Sequence, residues 1–205
     1  MKYNGPKARK CRRLEMNLYG SDKYDRVMQK KPFGPGKNAK FRKPRPSEYS
    51  KQLMEKQRAR EIYGLSESQF RRLYTEAATA QGQTGDQMKR LLEQRLDNAI
   101  YRAGFALTRL QARQFAGHGL FTVDGVRVTV PSFRVKPGQV ISIRAKLKDG
   151  ALMTGIVEQQ GKHSAPKWIK SNAAARSFEV LAVPGPEDAE QAVDMRQVIE
   201  FYSRN

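Results

Sequence analysis

Cysteine occurs once in these 205 residues, at Cys11, histidine twice and tryptophan once. One thiol closes no intrachain disulfide. Together with His118 and His163, which stand in or beside glycine-containing turns, it does not fill the four places of a structural zinc site. No metal and no cofactor is expected. Long apolar runs are missing too. None reaches the ~20 residues that a bilayer-spanning helix needs. The basic N-terminus is not followed by the apolar stretch of a secretory leader. A cytoplasmic chain with no membrane partner is the expectation. Catalytic signatures are also lacking. There is no glycine-rich phosphate loop ending in Lys-Ser or Lys-Thr. There is no Gly-x-Gly-x-x-Gly between a strand and a helix, and no nucleophile elbow.

Acidic residues are scarce. Asp and Glu total 20 against 39 Lys and Arg, leaving +19 at neutral pH and a pI near 10.3. Such a field attracts polyanions. The excess is uneven. Residues 1–60 hold 19 basic and 5 acidic residues, net +14, whereas residues 61–205 hold 20 and 15, net +5. Tyr3, Tyr19, Tyr24, Phe33 and Phe41 are interleaved with the basic residues of the first segment. Cations neutralise phosphates while planar rings stack on unpaired bases, so this pattern points to nucleic acid. Glycines and prolines interrupt residues 1–46, and apolar residues recur there at no fixed period. The segment reads as an extended basic arm, disordered unless an acidic partner orders it. Cys11 then reads as an exposed thiol in that arm.

Helical patterning starts at residue 47. Ser47 caps a helix that Gly64 stops, with Tyr49, Leu53 and Ile62 inward and Lys51, Lys56, Arg58 and Arg60 on the surface. Ser66 and Gln69 form a capping-box pattern opening a second helix, with Phe70, Leu73, Tyr74 and Ala77 at helical spacing. A third starts at Thr84 and carries Leu91, Leu92, Leu96 and Ile100. Thr108, with Gln111, caps a short fourth. Ala112, Phe115 and Ala116 share its inner face. Arg109 and Arg113, four apart, share a neighbouring face and are spaced to meet phosphates along a groove. FTV and VRVTV follow, joined by Asp124-Gly125, a dipeptide suited to a type I′ hairpin turn. SFRV, QVISIRAK and SFEVLAV are further candidate strands. Residues 95–146 thus read as helix, helix, then a small antiparallel sheet. The closing MRQVIEFYSRN mixes strand and helix signals. Its Val198, Ile199, Phe201 and Tyr202 suit burial against the helical part.

GPKARKCRRLEMNLYG, PSEYSKQLMEKQRAREIYGLSESQFRRLYTEAATAQGQTG, the long run from LLEQRLDNAIYRAG to VKPGQVISI, and VIEFYSRN each have a counterpart in one family. Nearly end to end, the chain resembles the small-subunit ribosomal protein uS-four family of bacteria and organelles. The resemblance implies an α+β fold. A basic arm (1–46) precedes a mainly helical domain (47–94 plus 178–205). A small RNA-binding module (95–158) is inserted, with 159–177 as a connecting segment. It implies binding to small-subunit ribosomal RNA in its 5′ domain, early joining and nucleation of assembly. It also implies a place where mRNA enters the subunit, beside small-subunit ribosomal proteins five and three, with an influence on translational accuracy.

Carried across by position, RNA contacts are expected in the arm at Lys7, Arg12, Arg13, Lys43 and Arg45. In the first helix they are Ser47, Tyr49, Lys56, Gln57, Arg60 and Tyr63. The next helix offers Gln69, Phe70, Arg71 and Tyr74, and a helix start offers Thr84 and Gly85. The central module offers Arg95, Asn98, Arg102, Arg109, Arg113 and His118. Three departures stand out. Members that bind zinc carry four cysteines in the arm, and this chain has one. FGPGKNAKF lacks the histidine of the family's Pro-Gly-Gln-His-Gly stretch. The hairpin has Asp-Gly for the usual Asn-Gly. Two alternatives share the module. Pseudouridine synthases carry an Arg-Leu-Asp that Arg95-Leu96-Asp97 copies, but Gln94 before it and NAIY after it depart from theirs, so no enzyme is expected. The other alternative is a free RNA-binding regulator.

Overall fold

Helices begin inside the basic N-terminal segment, where the sequence suggests an extended arm. The computed structural model describes residues 5–36, 45–145 and 164–204, so Lys43, His163 and part of FGPGKNAKF lie outside the described residues. Helix α1 (Lys7–Leu14) and helix α2 (Asp22–Lys30) form there. Cys11, Leu14, Leu18 and Tyr19 are buried, so Cys11 is not the exposed thiol expected. Polar contacts supply what the sparse apolar residues lack. Lys10 reaches Glu61 at 2.6 Å, Tyr19 Oη donates to Glu61 at 3.1 Å, and Arg58 Nε donates to the Leu14 carbonyl at 2.9 Å. Burial pushes the Cys11 thiol above its ordinary pKa, which makes it a poor nucleophile.

Helix α3 (Glu48–Ile62) is capped by Ser47, whose side chain accepts from the Ser50 N–H. Its buried face is largely polar: Gln52, Glu55 and Lys56 sit inside beside Ala59 and Ile62. Two expectations are reversed here. Tyr49 is 54% exposed, and Lys56 is only 6% exposed. Apolar periodicity misplaces both because hydrogen-bonded ions fill part of the inner face. Helix α4 (Glu67–Thr79) carries the full capping box of Ser66 and Gln69 and buries Phe70, Leu73 and Ala77. The C-terminal segment resolves as helix α8 (Met195–Ser203), capped by Asp194 and packed along α3 with Met195, Val198 and Phe201 inside. Gln52 meets Glu200 at 3.0 Å, and Glu55 accepts from the Asp194 N–H at 3.1 Å. These elements make one unit, Met1–Gly85 with Gln191–Asn205.

The second unit is Asp86–Glu190. Helix α5 (Thr84–Glu93) runs into it, Arg95 is extended, and helix α6 (Leu96–Arg102) and helix α7 (Arg109–His118) follow. The strands are β1 (Phe121–Val123), β2 (Val126–Arg127), β3 (Val140–Ile143), β4 (Ile169–Asn172) and β5 (Ser177–Val180). All neighbours are antiparallel, in the order β2-β1-β3-β5-β4. Asp124 and Gly125 both take positive φ, 50° and 82°, as a type I′ turn requires. Two expectations change. SFRV forms no strand of the sheet: it pairs with the chain entering α6, where Leu96 N donates to the Phe133 carbonyl and Val135 N to the Gln94 carbonyl. Residues 169–172, expected within a connecting segment, form strand β4, beside SFEVLAV, whose first four residues form β5 as expected. Their alternation puts Ile169, Phe178 and Val180 into the same core as Ile141 and Ile143. Phe105 fills the centre of that core, with ring centroids 6.0 Å from Phe121 and 5.8 Å from Phe178.

Candidate nucleic-acid interface

The central module brings its expected RNA ligands together but occupies them internally. Arg95 is buried and bidentate on Asp97, at 3.0 and 2.7 Å. Arg113 approaches the same carboxylate at 3.5 Å. Burial lowers the Arg113 pKa, the charge of Asp97 opposes that shift, and the guanidinium stays protonated. Fully buried Glu93 accepts from Asn98 at 2.6 Å and from Nε and Nη2 of Arg102, at 2.9 and 3.1 Å. Arg109 donates to Asn98 Oδ1 at 2.9 Å and to Glu190 at 3.1 Å. Arg109 and Arg113, spaced to meet phosphates along a groove, are thus each met by a carboxylate of their own unit. Helical spacing places them side by side, and it carries no information on which acids fold against them. His118 is exposed at the end of α7.

A cationic cluster missed by the sequence reading lies beside His118. Arg127 donates to the His118 carbonyl at 3.2 Å and Arg144 to the Gly119 carbonyl at 3.4 Å, closing the C-terminus of α7. Gly119 has φ +65°, and a Cβ there would lie 2.5 Å from Arg127 Nε. Only the hairpin fold brings these distant arginines to the helix end. The FTV and VRVTV pairing was the available signal, because its register puts Thr122 and Arg127 opposite each other on one sheet face.

In the helical unit the expected ligands divide by exposure. Arg13, Arg45, Ser47, Tyr49, Gln69 and Arg71 are exposed, and Arg9 and Arg72, which were not singled out, are exposed as well. Lys7 lies 5.5 Å over the Tyr19 ring. Arg12 is committed to structure: it donates to the Phe33 and Gly34 carbonyls, each at 3.0 Å. Tyr63 and Phe70 are core residues. Gln57, Thr84 and Gly85 are partly covered, and a Cβ on Gly85 would lie 3.2 Å from Ile199 Cδ1. Tyr74 stacks on Tyr202 with centroids 4.7 Å apart. Lys56 sits over the Phe201 and Tyr202 rings at 4.5 and 5.6 Å and pairs with Glu67 at 2.8 Å. Arg60 joins the same carboxylate at 3.2 Å, and Tyr202 Oη donates to it at 2.8 Å.

That cluster makes stability depend on pH. Burial alone would raise the Glu67 pKa, but hydrogen bonds from Lys56 and Tyr202 and the charges of Lys56 and Arg60 outweigh it and hold it low. Burial, then the Glu67 hydrogen bond and charge, push the Tyr202 phenol up. A lowered carboxylate contributes stability above its ordinary value and loses it as pH falls through the folded one. A raised phenol contributes below about pH 10 and loses it as pH climbs further. Thermal melts across pH are expected to fall off at both ends. Glu67→Gln should flatten the acid limb and Tyr202→Phe the alkaline one.

Comparison with known proteins decides the family. A profile described as "Ribosomal protein S4/S9 N-terminal domain" matches residues 2–93, and one described as "S4 domain" matches residues 94–141. Small ribosomal subunit protein uS4 of Roseiflexus castenholzii is 42% identical over 206 residues, covering 99% of each chain. The same protein of Thermus thermophilus is 42% identical over 207 residues, and that of Heliobacterium modesticaldum 40%, with the same coverage. The chain belongs to the small ribosomal subunit protein uS4 family. The uS4 family is structural, so the chain is not an enzyme. Its Asp97 fits that: two arginines hold it inside the fold. The uS4 match to the S4 domain stops at residue 141, yet β4 and β5 complete the same sheet. No helix among the described residues is long and apolar enough to cross a membrane.

Proposed function

We propose that this chain is a structural constituent of the small ribosomal subunit that binds small-subunit ribosomal RNA directly. The observation that carries the reading is a full-length likeness to uS4 proteins in a chain whose first 60 residues hold net +14. In the finer reading it binds the 5′ domain, joins early and nucleates assembly. It lies where mRNA enters, beside small-subunit proteins five and three, and contributes to translational accuracy in the cytoplasm of a bacterium. Phosphate contacts are assigned first to exposed cations, Arg13, Arg45 and Arg71 of the expected set with Arg9, Arg72 and Arg127 added. Tyr49 offers an exposed ring for stacking. Buried Arg95 and Asn98 support the fold that presents the others.

Binding of the full chain to a 5′-domain transcript and to an unrelated structured RNA, across a salt series, tests this. Both affinities should fall with salt at about 0.7–0.9 log units per phosphate contacted. The 5′-domain transcript should stay orders of magnitude tighter at high salt. Collapse of both affinities together would overturn specific recognition and leave a polyanion magnet. A cellular stoichiometry far below one per small subunit would instead favour the free regulator.

A further inference from the structure

Three carboxylates neutralise the arginines around α6 and α7, and they are not alike. Glu93 on α5 is fully buried, and the Asp97 side chain on α6 is 6% exposed. The Glu190 side chain is 30% exposed and lies beyond β5 in a stretch that is neither helix nor strand. Its Oε2 accepts from Arg109 Nη2 at 3.1 Å. The same guanidinium donates through Nε to Asn98 Oδ1 at 2.9 Å and lies 4.5 Å over the Tyr101 ring. Asn98 is in turn held by Glu93. Arg109 is thus fixed on one side by groups on helices and met on the other by a carboxylate on a loop.

A guanidinium edge that accepts a carboxylate also accepts a phosphate, because both present anionic oxygens to the same N–H donors. We propose that Glu190 is an internal stand-in for an RNA phosphate, an autoinhibitory contact that RNA displaces from Arg109. The proposal rests on the RNA-binding reading above. Glu93 and Asp97 cannot play this part, since moving either strips a counter-charge from buried groups. Glu190 can leave when a phosphate takes its place, because its carboxylate is 30% exposed and Arg109, 13% exposed, then exchanges one counter-charge for another. Its neighbours keep it close. Ala189 is buried, and the turn before it is tied by Gly185 N donating to Asp188 Oδ2 at 2.8 Å. The loop therefore stays in place while the carboxylate swings, and Glu190 returns when RNA dissociates.

The test is Glu190→Gln in the full chain, titrated against the 5′-domain transcript at low salt. Binding is expected to tighten by at least about two- to fivefold, the range for a fully exposed pair, since this one is part-buried. The gain should shrink as salt rises, because salt also screens the internal pair. In an Arg109→Gln background the same change should have no effect. Unchanged or weaker binding by the single variant overturns the proposal. So does an equal gain in the Arg109→Gln background, which would reflect net charge alone. Wild-type protein that does not prefer the 5′-domain transcript fails in the same titration and overturns the RNA-binding reading itself, and the gate with it.

Discussion

Replacing Asp97 with asparagine is expected to destabilise the central unit by about 3–5 kcal/mol, the range for removing one partner of a buried ion pair. Asp97 is the counter-charge of two cations: Arg95, buried with it, and Arg113, partly covered. Asparagine keeps the shape and one acceptor oxygen but not the charge. Arg95 cannot respond by losing its proton, since guanidinium stays charged in proteins. The loss is therefore an uncompensated buried cation. Urea unfolding followed by Trp168 fluorescence measures it, because the single tryptophan is buried in this same unit. The matched double variant, Asp97→Leu with Arg95→Met, removes both charges and should cost far less than the single change. A single change within about 0.5 kcal/mol of wild type, the spread of ordinary surface substitutions, would show that the pair is not the anchor described here.

Phe105→Ala should cost about as much, roughly 3–5 kcal/mol, through a different mechanism. Phe105 has no exposed surface, and its ring packs edge-on to Phe121 and stacks with Phe178. Alanine removes the buried apolar area and leaves a cavity between α6 and the sheet that backbone strands close poorly. Phe105→Leu should recover most of the loss, because volume rather than the aromatic face dominates there. The same fluorescence titration reads both variants. Equal losses for Ala and Leu would mean that ring geometry, not filling, is what the site requires. Asp97 and Phe105 thus test two parts of one unit: a buried ion pair and an apolar core.

Local chemistry was legible wherever residues close in the chain decide the outcome. The Ser66–Gln69 capping box, the Thr108 cap and the Asp124-Gly125 turn all stand where spacing puts them. Each depends on hydrogen bonds or φ values within four residues, so the sequence window contains the whole cause. The resemblance to a ribosomal family was legible for another reason, since it extended over nearly the whole chain rather than resting on one motif.

Partners distant in sequence were not legible. Lys56 looked like a surface cation because nothing nearby announces Glu67, Phe201 and Tyr202 folding around it. Cys11 looked exposed because nothing in the polar composition around it announces that its helix packs against both α2 and α3. Arg109 looked free because Glu190 is 81 residues away. SFRV looked like a strand of the sheet, and the chain entering α6 took its hydrogen bonds instead. By itself the sequence determined the charge, the caps, the turns and the family. Tertiary structure decided which cations meet solvent and which are neutralised within. The physical reason is that a cation's availability depends on the acid nearest to it in space, and the fold alone sets that distance.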